Sequence, residues 1–207
     1  MAGKPSEWSS VLSNAVLCAV SLSSAVRTSE VNRGAAAGFL LQALAALLGA
    51  AGALWPSLGL SLEADSPPNS WVSTVVGLPL MAFGFHWLNG DHSTANLLLG
   101  GALLLAAGSG YLTEEGRAVV ARSVALVTAI TILILSVFTT NACGVLGSLA
   151  LGAAGLLSGA GLDGLPLLAE EDAVCYLLAA GSLALQQALR TQHRDLEQEA
   201  QRLLSAW

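Results

Sequence analysis

The sequence predicts an all-α fold, a polytopic bundle of about seven transmembrane helices followed by a cytoplasmic amphipathic C-terminal helix. Of the 207 residues, 54% are hydrophobic and only 11% are charged, whereas soluble domains carry about 25% charged residues. Uncharged runs long enough to cross a bilayer recur along the chain. Tryptophan and tyrosine residues lie near the ends of these runs, as they do at the two interfaces of a membrane.

The first two apolar runs differ in how well they match a transmembrane helix. A transmembrane helix needs about 20 mostly apolar residues. The run WSSVLSNAVLCAVSLSSAV is long enough, but serines and Asn14 dilute it, and without it the bundle would have six spans. The run GFLLQALAALLGAAGALW contains one amide, Gln42, and no charge. The acidic segment EADSPPNS follows, and its paired prolines predict a loop.

Polar turns divide the next four spans. Asn89-Gly90-Asp91 predicts the turn between the third and fourth spans, and Pro79 could kink the third. No charged residue occurs from Ser123 to Leu162. One helix of that length would be about 60 Å long, twice the hydrocarbon thickness, so this run must fold back at Thr139-Thr140-Asn141. That gives the fifth and sixth spans.

A short seventh span is followed by a polar segment that leaves the membrane. The predicted bundle covers residues 1–189 and the tail covers residues 190–207. The spans are expected near residues 8–26, 34–60, 71–90, 94–112, 118–138, 142–162 and 173–189.

The distribution of Lys and Arg predicts the orientation. Arg27, Arg33, Arg190, Arg194 and Arg202 fall on the side of the C-terminus, and Lys4, Arg117 and Arg122 fall on the other. The C-terminus is therefore expected in the cytoplasm. The modest length of the fourth and seventh spans favours a thin endomembrane, such as the endoplasmic reticulum, over the plasma membrane.

Little intramembrane chemistry is predicted. Arg122 is the only Asp, Glu, Lys or Arg inside an expected span, which argues against proton relays and acid–base catalysis. The candidate polar intramembrane residues are Asn14, Gln42, His86 and Asn96. His86, His92 and His193 lack metal-binding spacing, so neither a metal nor a cofactor is predicted. A net charge of −6 with only 8 Lys+Arg excludes nucleic acid as a partner.

Two patterns suggest contacts between helices. Gly49 and the pair Gly155 and Gly159 belong to small-residue repeats, which let helix backbones approach closely. In the tail, Leu196, Leu203 and Trp207 fall on one helical stripe. The stripe is a candidate partner face, and the tail could extend the last span, lie on the membrane or dock on a partner.

Three functional hypotheses follow. The first is a non-enzymatic accessory, trafficking or assembly protein, surrounded by membrane lipid and binding a membrane-protein partner through helix faces or the tail. The alternative is a transporter or channel for a small uncharged solute, lined by the four polar intramembrane residues. The third is a lipid-modifying enzyme centred on His86.

From MAGKPSEWSSVLSNAV through HWLNGDHS to LEQEAQRLLSAW, the whole chain resembles the transmembrane protein 276 family of small vertebrate multi-pass proteins. The resemblance implies an integral membrane protein. It implies no catalytic residues.

Overall fold

The computed structural model describes residues 5–54, 69–158 and 170–205, and within them it contains helices and turns but no strand. The elements are α1 (Pro5–Thr28), α2 (Arg33–Leu54), α3 (Asn69–Val72), a π turn (Ser73–Gly77), α4 (Leu78–Leu88), α5 (His92–Ala107), a 3-10 turn (Gly108–Tyr111), α6 (Glu114–Phe138), α7 (Ala142–Leu157) and α8 (Glu170–Ser205). The predicted all-α bundle is confirmed.

Six of these helices form a closed ring. Around it, α1 packs on α2, α2 on α4, α4 on α6, α6 on α7, α7 on α8, and α8 on α1 again. Helix α5 lies outside the ring, against α4 and the π turn. We call the side with turns 29–32, 89–91 and 139–141 the tail side, because α8 ends there.

The bundle buries polar side chains among the apolar ones of its core, and it exposes large apolar side chains on its outer surface. Buried polar groups are spread over α1, α2, α6, α7 and α8. Large apolar side chains are exposed on the outer surface; Leu104 is 76% exposed and Phe138 is 83% exposed. In a soluble bundle most of these large apolar side chains would be buried. This one is arranged for a surrounding solvent of lipid, in which interhelical hydrogen bonds and small residues hold helices together.

Five described helices are long and apolar enough to cross a membrane: Trp8–Thr28, Arg33–Leu54, His92–Tyr111, Glu114–Phe138 and Glu170–Ser205. Two further apolar helices, Ser73–Leu88 and Ala142–Leu157, are shorter. Residues 55–60 and 159–162, which the sequence assigns to the second and sixth spans, lie outside the described residues.

Helices α6 and α8 extend beyond the predicted spans. Helix α6 begins at Glu114 because the Thr113 hydroxyl accepts a hydrogen bond from the Gly116 N–H, at 3.2 Å, and so caps the helix. Helix α8 continues to Ser205 without a break at residue 190. No glycine or proline occurs between residue 190 and Ser205 to interrupt the helix.

The π turn, Ser73–Gly77, lies just before Pro79. The backbone is helical at both junctions, Val72 and Leu78, so α3, the π turn and α4 form one continuous rod. A proline ring clashes with the carbonyl four residues earlier, here Val75, and removes one helical hydrogen bond. The wider π turn accommodates this defect without ending the helix.

Two tail-side turns share one backbone conformation. Gly90 has φ +76° and Thr140 has φ +53°, and each is followed by an Asx residue that caps the next helix. Asp91 accepts from the Thr94 N–H, and Asn141 accepts from the Gly144 N–H. Left-handed backbone is unstrained for glycine but unfavourable for a β-branched residue.

At Gly38, α2 lies close to the backbone of the π turn and α4. A Cβ added at Gly38 would lie 2.6 Å from the Gly77 carbonyl oxygen and 3.0 Å from the Met81 backbone nitrogen. Both neighbours are backbone atoms, so neither can move aside by changing a rotamer. Glycine at position 38 therefore sets the separation of these two helices.

We expect Gly38→Ala to destabilise the bundle by about 1–3 kcal/mol through overpacking. Gly52→Ala is the matched control, because a Cβ at Gly52 meets nothing within 4 Å. It should be neutral or slightly stabilising, since alanine favours helices by up to about 1 kcal/mol over glycine. Melting temperatures of the detergent-purified proteins test this, and equal melting of both variants would contradict the assigned contact.

Candidate functional site

A polar seam joins α8 to α1 and α2. We define it by the residues Ser9, Ser13, Ser24, Gln42, Asp172, Ser182 and Gln186. At its outer end, the hydroxyls of Ser9 and Ser13 donate to the two carboxyl oxygens of Asp172, at 2.5 and 2.6 Å. Asp172 is only 2% exposed, so these two bonds supply the hydrogen-bond donors that a buried carboxyl group requires.

Deeper in the bundle the seam continues with neutral partners. The Ser182 hydroxyl lies 2.9 Å from Gln42 Oε1 and also 2.7 Å from the carbonyl oxygen of Leu178. The Ser24 hydroxyl contacts Gln186 Oε1 at 3.4 Å. Ser24, Gln42, Ser182 and Gln186 are buried, and Ser9 at the outer end is half-buried. They tie three helices together at several depths.

The sequence prediction missed the seam because it treated Asp172 as a loop residue and the serines of the first run as dilution. A signal was present. Asp172, Ala179 and Gln186 recur every seven residues in α8, as do Cys175, Ser182 and Leu189. Such spacing places one face of a helix against a partner. Hydroxyls on α1 complete the contact, so serines that lower its hydropathy stabilise its packing.

A cavity of about 760 Å³ lies inside the ring, in the half of the bundle away from the tail side. All six ring helices contribute to its wall. Its deeper residues are Leu17, Gln42, Ala46, Leu78, Ala125, Leu151 and Leu178. On the tail side of this level the interior is filled by a core that includes Phe39, Met81, Phe85, Ile132, Leu185 and Leu189. The cavity therefore extends only part of the way through the bundle.

Charged residues lie at the outer end of the cavity. Glu114 and Arg117 line this end from α6, and Glu170 and Glu171 line it from α8, whereas Arg122 lines the cavity about 7.5 Å deeper than Arg117 at helical rise. The Arg117 Nε atom is buried and has no hydrogen-bond partner among the described residues.

Trp71 supports this wall by donating its indole N–H to the Arg117 carbonyl oxygen at 2.9 Å. This tryptophan is buried, although the sequence pattern assigns it to the membrane interface. Trp87, by contrast, is exposed at the tail side, as expected of an interfacial residue.

The four predicted polar residues do not share one site. Asn14 and Gln42 both line the cavity. Asn14 Nδ2 donates to the Ser10 carbonyl oxygen at 2.9 Å. His86 is buried at the tail side, and Asn96 is exposed on α5, outside the ring. A continuous path through all four residues is therefore not present in the described structure.

His86 belongs to a small tail-side cluster. Its Nδ1 lies 3.2 Å from Asp91 Oδ2, and its Nε2 is buried with no partner among the described residues. Hydrogen bonds from the side chain and backbone of Thr94, and then the neighbouring His86, hold the pKa of the Asp91 carboxyl below its ordinary value. The His92 ring packs on Trp87, with centroids 4.2 Å apart, and does not join His86.

No group of three or more His, Cys, Asp or Glu side chains suited to a metal ion occurs in the described ranges. The cysteines Cys18, Cys143 and Cys175 are free thiols. His193, the third histidine, lies 3.2 Å from Glu197 in a pair one helical turn apart on α8.

The predicted packing glycines lie at helix contacts where they are described. A Cβ at Gly49 would lie 2.6 Å from Asn14 Oδ1, and one at Gly155 would lie 3.0 Å from the Ala125 Cβ. Gly159 lies outside the described residues, as does Trp207. The other two members of the predicted partner face, Leu196 and Leu203, are exposed on α8.

Comparison with known proteins gives a consistent set of relatives. The chain is 53% identical over 198 residues to human transmembrane protein 276, covering 95% of this chain and 100% of the relative. It is 52% identical over 192 residues to the bovine protein of that name, covering 92% and 96%, and 51% identical over 198 residues to the mouse protein, covering 95% and 100%. No family model matches, and no solved structure matches significantly.

We expect Ser13→Ala to destabilise the protein by about 1–3 kcal/mol, because it removes a donor from a buried carboxyl group. Ser23→Ala on the same helix is the control; its hydroxyl is exposed and bonds only to the Val20 carbonyl oxygen. That change should stay within about 0.5 kcal/mol. Thermal unfolding in detergent measures both, and a Ser13→Ala protein as stable as Ser23→Ala would exclude a structural role for the seam.

Asp91→Ala should lower the melting temperature by removing the cap of α5, whereas Ser93→Ala should not, because Asp91 is the capping residue. A lowered carboxyl pKa makes the contribution complete above the ordinary value of about 3.9 and lost only as pH falls through the lowered value. The difference from wild type should therefore not shrink between pH 7 and pH 5, because Asp91 stays charged throughout that range. A difference that shrinks over this range would contradict the assignment.

Proposed function

Because the chain belongs to the transmembrane protein 276 family and is an integral membrane protein, we propose that it is a non-enzymatic accessory or assembly protein that binds a protein partner through the end of α8. The observation that carries this proposal is the shape of α8. One half of the helix is packed inside the bundle, and the last twelve described residues, 194–205, are all exposed.

The exposed segment is held at its base by the bundle. Leu185 and Leu189 are fully buried. One turn further on, the Gln192 amide donates to Asn89 Oδ1 in the turn after α4, and the Asn141 amide donates to the Ala188 carbonyl oxygen at 3.0 Å. The tail-side turns 89–91 and 139–141 thus contact α8 where it leaves the ring. The twelve residues beyond project about 18 Å at helical rise.

An apolar stripe runs along this segment. We define the leucine stripe as Leu196, Ala200 and Leu203, which fall on one face at i, i+4 and i+7. Leu196 is 41% exposed and Leu203 is 62% exposed. Residues Asp195, Glu199 and Arg202 flank the stripe with charges of both signs.

A helix of this kind suits a complementary apolar groove on a protein. A basic face, which anionic lipid would favour, is absent from the described segment. We therefore propose a protein partner with an apolar groove. The excess of arginine on the tail side supports placing that partner in the cytoplasm, and the short spans support an endomembrane.

The solute-transport alternative has weaker support. It requires Asn14, Gln42, His86 and Asn96 to line one path, and only Asn14 and Gln42 share the cavity. The lipid-modifying enzyme centred on His86 has weaker support still. His86 has one acidic neighbour, Asp91, and the described residues provide no metal-binding group beside it.

We expect the double variant L196E/L203E to abolish partner binding, because two charges on the leucine stripe cannot enter an apolar groove. Q198E/Q201E is the matched control, since it adds the same charge away from the stripe. Quantitative affinity purification from cells producing the full-length protein compares the variants. Partners lost from both variants alike, or retained by both, would contradict docking through the stripe.

Direct contact is tested separately with a photo-crosslinking amino acid. Placed at position 203, it should crosslink the same partner that L196E/L203E loses. Placed at position 198, it should not. Crosslinking of that partner from position 198 but not from position 203 would assign the contact to the opposite face of the helix.

A further inference from the structure

The cavity has the size of a ligand-binding site. Its volume of about 760 Å³ falls within the range of about 300–1,000 Å³ that is usual for small-molecule pockets. All six ring helices contribute residues to its wall, so a bound molecule would contact most of the bundle. This feature lies at the opposite end from the leucine stripe and is independent of the proposed function.

The cavity wall changes character with depth. Arg117 lies about one turn into α6, and Ala125 lies roughly 12 Å deeper along the same helix at helical rise. At the level of Ala125 the wall is mainly apolar, with Leu78, Leu151 and Leu178 around it. The cavity is thus polar at its outer end and mostly apolar at its inner end, which is the polarity of an amphiphilic molecule.

Arg117 defines the chemistry of the polar end. A guanidinium group is always charged in proteins and carries only donors. Its Nε atom is buried without a partner among the described residues. A buried, unpaired donor is unfavourable, and more so for a charged group. A phosphate or carboxylate would supply the missing acceptor with favourable geometry.

The acidic residues restrict which anions fit. Glu114, Glu170 and Glu171 line the same end of the cavity. Their negative charges oppose the attraction between Arg117 and a small free anion. An acyl chain in the apolar end compensates for this repulsion through van der Waals contacts with the cavity wall, which a free anion cannot make. Tight binding therefore requires an acyl chain and an anionic head in the same molecule.

We propose that the cavity binds one single-chain lipid whose anionic head, a phosphate or a carboxylate, contacts Arg117 and whose acyl chain occupies the apolar end beside Ala45, Leu78 and Leu151. The same site gives the two polar residues Asn14 and Gln42 a role in the cavity wall without requiring a path through the bundle.

Native mass spectrometry of the full-length protein in detergent measures this binding. Four probes separate head from chain: oleate, oleoyl lysophosphatidic acid, monooleoylglycerol and inorganic phosphate. We expect one molecule of oleate or of the lysophospholipid to bind per chain, at least about tenfold more tightly than monooleoylglycerol, which has the same chain without the charge. Inorganic phosphate alone should not bind.

Two variants with matched controls locate the site. Arg117→Gln should weaken the anionic lipid about tenfold or more and leave monooleoylglycerol unchanged, whereas Arg33→Gln on the exposed tail side should change neither. Ala45→Leu should weaken the lipid by filling the cavity. Ala37→Leu on the outer face of the same helix should not. If Arg117→Gln does not fold, Ala45→Leu and Arg117→Lys carry the test.

Three outcomes would overturn the proposal. The first is equal binding of monooleoylglycerol and the anionic lipids, which would mean that the head is not recognised. The second is phosphate binding as tight as that of the lipids, which would indicate a free-anion site. The third is lipid binding insensitive to both Arg117 and Ala45 variants. The L196E/L203E variant should bind lipid normally, so failure of tail docking and failure of this proposal are distinguishable.

Discussion

Helices in lipid are not pushed together by the hydrophobic effect, because lipid tails are as apolar as leucine, and so close packing and hydrogen bonds must hold them. In this chain both converge on α8. It bonds α1 through Asp172, α2 through Ser182 and the two tail-side turns through Gln192 and the Ala188 carbonyl oxygen. The ring closes because α8 returns to α1, which joins the last helix to the first.

The two halves of the bundle differ in how their interiors are filled. Large side chains such as Phe39, Phe85 and Leu185 fill the tail-side half and give the projecting end of α8 a rigid base. The other half contains the cavity, whose wall combines alanine and glycine with leucine and polar residues. The first turns of α8 line that cavity and its last turns carry the leucine stripe, so one continuous helix contributes to both proposed binding surfaces.

Much of the fold was predictable because it depends on local properties of the chain. The scarcity of charge, the apolar runs and the two polar turns lead to an all-α bundle, and both turns lie at the predicted positions, 89–91 and 139–141. The candidate site was predicted only in part. Asn14 and Gln42 do meet at one cavity, but Asp172 and Arg117 gain their importance from neighbours more than 40 residues away.

Composition and the spacing of apolar residues thus determined by themselves that this is a helical membrane protein, since each helix must satisfy its own backbone within lipid. They also determined the exposed stripe at the C-terminus, because a helix face follows directly from sequence. Only the tertiary structure decided which polar residues are partners, that Ser13 and Ser24 of α1 are buried hydrogen-bonding groups, and that six helices leave a cavity between them. Those properties depend on which helices become neighbours, and the hydropathy of a sequence does not specify helix pairing.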